Sequence, residues 1–111
     1  MTHTLVTLLQ SLVKDKMDVR ETMSVLTRNR SIYWSWGTSS VSNVNDRGLL
    51  LKVNGFHHKS YVFITLDYND TYTVHIISNR GTILDTYEMV YVDMLVEVID
   101  NRIEKIPDYK F

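Results

Sequence analysis

The chain has no cysteine among its 111 residues. That excludes a disulfide framework, Cys-type zinc sites and redox chemistry through thiols, and it fits a reducing compartment. Proline occurs once, at Pro107, and glycine four times. Gly37-Thr38-Ser39-Ser40 lacks the glycine pattern of a phosphate-binding loop, and no serine stands in Gly-x-Ser-x-Gly. Nothing approaches the roughly 20 consecutive apolar residues of a membrane span. Leu5 to Val13 has no basic leader and no small-residue cleavage site, and Thr7, Gln10 and Ser11 interrupt it, so it is not read as a signal peptide. The expectation is a cytoplasmic protein without membrane contact.

What is present suffices for one domain. Hydrophobic residues make up 44% of the chain, enough for one core without a staple. Charge is uneven: residues 1 to 60 carry a net +4, and residues 61 to 111 a net −5. Small solvated clusters produce such differences by chance. The sharper reading is an acidic face around the C-terminal helix that repels nucleic acid and suits a basic protein partner.

Periodicity organises the chain into helices around a block of strands. Leu5, Leu8, Leu9 and Leu12 form one apolar helix face, with Thr4 as its N-cap. Val19, Met23 and Leu26 repeat the spacing, with Asp18 and Glu21 placed for a capping box. The helical segment 4–28 is therefore one long helix or two that meet near Met17 and Asp18. At the other end Val92, Leu95, Val96, Ile99 and Ile103 mark a helix over 92–105, with Asp93 in its first turn, Arg102 and Lys105 in its last, and Pro107 as its stop.

Strands are expected within 31–89. Ile32, Trp34 and Trp36 alternate with Ser31, Tyr33 and Ser35, which predicts a strand that buries both tryptophans on one face and ends at Gly37. Thr38 to Arg47 reads as a long Ser- and Asn-rich loop holding at most a short irregular strand. Gly48 to Val53, Tyr61 to Tyr68, Thr71 to Ser78 and Thr82 to Met89 follow, with turns at Asn54-Gly55, Asn69-Asp70 and Ser78 to Gly81. Short connections make sequence neighbours antiparallel neighbours. The predicted fold is α+β: an antiparallel meander sheet of four or five strands, backed by the N- and C-terminal helices, with a second face that carries Tyr and Thr and is available for contact or self-association.

Three function classes compare as follows. An order of helix, antiparallel strands and helix occurs in the double-stranded RNA-binding domain, and an aromatic sheet could stack bases. Against it, Tyr91-Val92-Asp93-Met94 stands where that family places lysines. For an enzyme, the candidates are His57, His58 and His75 beside Lys59. Adjacent histidines on an extended segment point to opposite sides and cannot easily chelate one ion, so a solvated turn is the expectation, with no catalytic residue, metal or cofactor assigned. A non-enzymatic protein-interaction module remains.

Within Gly48 to Lys105, the segments GLLLKVNG, SYVFITLDYNDTYTVHIIS and VYVDMLVEVIDNRIEK resemble small uncharacterised α+β accessory proteins of bacterial mobile elements and phages. The resemblance covers about half of the chain. It implies protein contact with host or conjugative machinery, or inhibition of a defence system, and carries over no functional residue.

Candidate contact residues are Tyr33, the loop residues Thr38, Ser39, Ser40, Asn43, Asn45 and Arg47, and the acids Glu97, Asp100 and Glu104, which share one helix stripe. A protein partner, or a second copy of the chain, is expected to contact them.

Overall fold

Five strands follow one another as an antiparallel meander in the order β1-β2-β3-β4-β5. They are β1 (Ser40–Val44), β2 (Gly48–Lys52), β3 (Tyr61–Leu66), β4 (Tyr72–Ile77) and β5 (Ile83–Val90). Among the described residues, three helices precede them: α1 (His3–Leu12), α2 (Val19–Thr27) and α3 (Arg30–Ser35). A 3₁₀ turn at Val92–Met94 and helix α4 (Leu95–Ile103) follow. This computed structural model describes residues 3–13, 16–28, 30–55, 58–67 and 69–103, with side chains from Thr7 onward. Thr4 lies inside α1, which begins at His3, and so is not its cap; the Leu5 side chain, His57, Glu104, Lys105 and Pro107 lie outside those limits.

The N-terminal segment is two helices. Between them Met17 is buried, and its N–H donates to Asp46 O at 2.8 Å, so the chain rounds the sheet at the β1–β2 turn. Asp18 caps α2 by accepting from Glu21 N at 3.1 Å. Thr22 ties α2 to the sheet through a buried 3.2 Å contact with the Tyr72 hydroxyl.

Strand pleat divides the sheet side chains into two sets, and helices cover both. On one face Leu49, Leu51, Val62, Ile64, Val74 and Ile76 form the main core with α2, Trp36 and α4, which contributes Leu95, Ile99 and Ile103. On the other, Leu9 of α1 packs with Leu50, Phe63 and Ile77, flanked by Leu8, Leu12, Val44 and Tyr61. The expected open second face is thus closed over its aliphatic part. Its Thr65, Thr73 and His75 are buried too. The Thr73 hydroxyl donates to Asp67 Oδ2 at 2.8 Å, and His75 stacks on Phe63 with ring centroids 6.3 Å apart. The leucine stripe of α1 is long enough to cover a separate apolar row once the break at Met17 and Asp18 lets it turn away from α2.

Two local assignments are corrected. Ser31 to Trp36 is not a strand: residues 30–35 form α3, Trp36 is fully buried, and Trp34 is 75% exposed. Ile32 and Trp36 share a face at period 2 and also at i, i+4, and only Trp34 distinguishes the two periods. The Ser35 hydroxyl donates back to Ile32 O at 2.6 Å, as on a helix. Asn54-Gly55 does not form the tight hairpin turn either. Asn54 N donates to Trp36 O at 2.8 Å and Gly55 N to His58 O at 2.9 Å, within a wider connection between β2 and β3. The left-handed pair sits instead at Asn45 and Asp46, with φ of 54° and 55°. The turns at Asn69-Asp70 and Ser78 to Gly81 form where expected, with Asp70 at φ 65° and Gly81 at φ 85°.

Candidate functional site

The expected loop 38–47 holds the edge strand β1 and its turn to β2, with regular register from Ser40↔Lys52 to Val44↔Gly48. Its polar residues largely build that hairpin. Ser39 N donates to Lys52 O at 2.8 Å. Asn43 Nδ2 donates to Asp46 Oδ1, and Asn43 Oδ1 accepts from Asp46 N, both at 2.8 Å. Asn45 occupies a left-handed turn position, and Arg47 N closes the turn on Val44 O at 2.9 Å. Ser40 is exposed at the start of the strand. A Ser- and Asn-rich strand was hidden by composition because an edge strand at the rim is half wetted.

Tyr33 and Asp100 are brought together by a residue assigned to the core. The Tyr33 ring meets Trp36 edge-on at 5.6 Å between centroids, and Trp36 Nε1 donates to Asp100 Oδ1 at 3.0 Å. Asp100 therefore serves a buried indole rather than a free acidic stripe. Glu97 is exposed on α4, and Glu104 is outside the described residues. Thr38 joins Tyr33, Trp34 and Gly37 around a shallow cleft of about 320 Å³. The predicted contact residues thus fall in two groups, the β1 hairpin with its neighbouring aromatics and one side of α4.

His58 does not lie on a solvated turn. His58 is buried, and its Nε2–H donates to Tyr61 O at 3.0 Å. Burial pushes its imidazole below the ordinary value of 6.5, opposed by the hydrogen bonds with Tyr61 and Ile77. Arg102 lowers it further, whereas Asp85 raises it. Arg102 and Asp85 pair with each other at 2.7 Å, which joins α4 to β5. Among the described residues no three His, Asp or Glu side chains gather as a metal site.

Sequence reasoning missed another surface. Of the eight large apolar side chains that are exposed among the described residues, six lie between Ile83 and Met94: Ile83, Leu84, Met89, Tyr91, Val92 and Met94. β5 is an edge strand with two register shifts against β4, one leaving Leu84 extra and one between Tyr87 and Val90. Met89 sits at the second shift with φ 56°, a left-handed conformation that a methionine adopts at a penalty of about 1–2 kcal/mol. Such irregularities blunt an edge against sheet extension, so contact there rests on side chains. The signal was legible in part. Tyr91, Val92 and Met94 precede the buried row Leu95, Ile99 and Ile103, and Met94 lies off the expected apolar stripe.

Compared with protein-family models, with curated proteins and with solved structures, the chain matches none.

Proposed function

We propose that this chain is a small protein-interaction module that works by contact rather than catalysis, through the surface made by Met89, Tyr91, Val92 and Met94. The observation that carries this reading is the concentration of exposed apolar side chains on one short stretch, against a chain whose sheet is otherwise helix-covered on both faces. Methionine and tyrosine suit such a role, since one adapts its shape and the other offers rigid area with a polar tip. Met89 also tolerates a strained backbone while half exposed, and strain of this kind gathers at working surfaces. An accessory protein or inhibitor acting by contact is the form of this reading that the resemblance suggests. Nucleic-acid binding has less support, because Glu88, Asp93 and Glu97 flank the surface.

The test is site-specific photocrosslinking in native cells, with the photoreactive residue placed at Met94 or, as a control, at Ser40 on the opposite edge of the sheet. A discrete protein adduct at Met94, absent at Ser40 and abolished by Val92→Asp with the circular dichroism spectrum unchanged, is the expected result. No adduct at Met94, or equal adducts at both positions, overturns it. Truncating a central contact of this type weakens binding by about 2 kcal/mol, roughly thirtyfold.

A further inference from the structure

Val92 stands between two clefts, each of about 290 Å³. The first is lined by Asp18, Glu21 and Asp70 over the apolar Leu66, Tyr72 and Val92. The second is lined by Val25, Ile32 and Val96 with Val92, and carries one charge of each sign, Arg28 and Asp93. Local structure accounts for each acid separately. Asp18 caps α2, Glu21 lies in its first turn, and Asp70 fills the left-handed position of the β3–β4 turn. Nothing local requires all three to border one cleft, and among the described residues no base lines it. Three carboxylates over low-dielectric walls focus a negative potential, and the neighbouring cleft offers aliphatic surface.

We infer that this double cleft receives a basic amphipathic segment of the protein partner, with a Lys or Arg side chain in the acidic cleft and an aliphatic side chain of the same segment in the other. Charge complementarity selects this occupant: an acidic or uncharged segment would leave the three carboxylates that line the cleft without a counter-charge from the described residues. The two clefts share Val92 as a wall, so one segment can reach both. The inference rests on the protein-interaction reading and specifies the chemistry of the partner.

The probe is a synthetic amphipathic peptide of about four helical turns built only from Leu and Lys, compared with a Leu and Glu peptide of the same pattern. Binding is followed by fluorescence anisotropy at several salt concentrations and mapped by amide chemical shifts. The expected result is that the Lys peptide binds at least about tenfold more tightly than the Glu peptide, with shifts centred on Val92 and Val96. The triple variant Asp18→Asn, Glu21→Gln, Asp70→Asn should weaken the Lys peptide by about tenfold or more and flatten its salt dependence. Folding is protected by design, since asparagine caps helices as well as aspartate and accepts left-handed backbone. Equal binding of both peptides, an unaffected triple variant, or shifts that map elsewhere would each overturn the inference. If Met94 still crosslinks a partner in the triple variant at wild-type yield, the basic-segment chemistry fails while the interaction reading stands. If Met94 crosslinks nothing in the wild type, the interaction reading itself fails.

Discussion

Trp36 and Asp100 are joined across 64 residues by the hydrogen bond from the indole Nε1 to Oδ1, at 3.0 Å, which fastens the end of α3 to α4. The indole is fully buried, so its N–H has no recourse to water once the acceptor is gone. Asp100→Ala should therefore destabilise the fold by about 1–3 kcal/mol, whereas Asp100→Asn, which keeps a carbonyl oxygen at the same place, should lose less than half of that. Urea denaturation of the two variants checks this. Equal losses would show that the bond contributes nothing specific.

The two tryptophans report on α3 directly. With Trp36 at 0% and Trp34 at 75% exposure, Trp34→Phe should leave a blue-shifted emission that acrylamide barely quenches. Trp36→Phe should leave a red-shifted, readily quenched emission, and should lower stability through lost core volume. Shielded emission from both variants would restore the strand reading of 31–36, in which the two rings share a buried face.

Gly48 is required by its neighbour. A Cβ at this position would stand 2.5 Å from Cζ of Phe63, which is fully buried beneath α1. Gly48→Ala should destabilise by about 1–3 kcal/mol through overpacking. Adding Phe63→Leu to that background should recover part of the loss, although Phe63→Leu alone is destabilising. A double-mutant thermal-melt cycle measures the coupling, and strict additivity would refute it.

His58 makes stability depend on pH in a set direction. Its folded-state pKa lies below the ordinary 6.5, so under mildly acidic conditions the unfolded chain takes up a proton that the folded chain refuses. Stability is then full above pH 6.5 and falls as the pH drops from that value toward the depressed folded-state pKa. The wild-type melting temperature should decline between about pH 7.5 and 5.5, and His58→Gln should show a smaller decline. Parallel declines would place the proton uptake elsewhere.

How much of this was legible varies with the physics of each segment. The strands Gly48–Lys52 and Tyr61–Leu66 announced themselves because central strands buried on both faces are apolar at nearly every position, whereas Tyr72–Ile77 was legible by its alternation, although Thr73 and His75 are buried too. Asp18 as the cap of α2, and the Asn69-Asp70 turn, were legible because local hydrogen bonding decides them. Residues 31–36 misled because six residues with two tryptophans satisfy both periods, and burial of Trp36 alone is a tertiary fact. Asp100 looked like part of a solvent stripe since its partner lies 64 residues away. The surface at Met89 to Met94 was overlooked for a related reason: an apolar residue next to a helix start is assigned to the core until the space beneath it is known to be filled.

The cover that α1 provides has a consequence for synthesis. Leu9 emerges from the ribosome early, but its companions Leu50, Phe63 and Ile77 are complete only about seventy residues later. At typical elongation rates a leucine-striped helix waits on the order of several seconds before its groove exists. During that interval its apolar stripe stays uncovered, and the opposite face closes later still, because its core needs Leu95, Ile99 and Ile103 of α4.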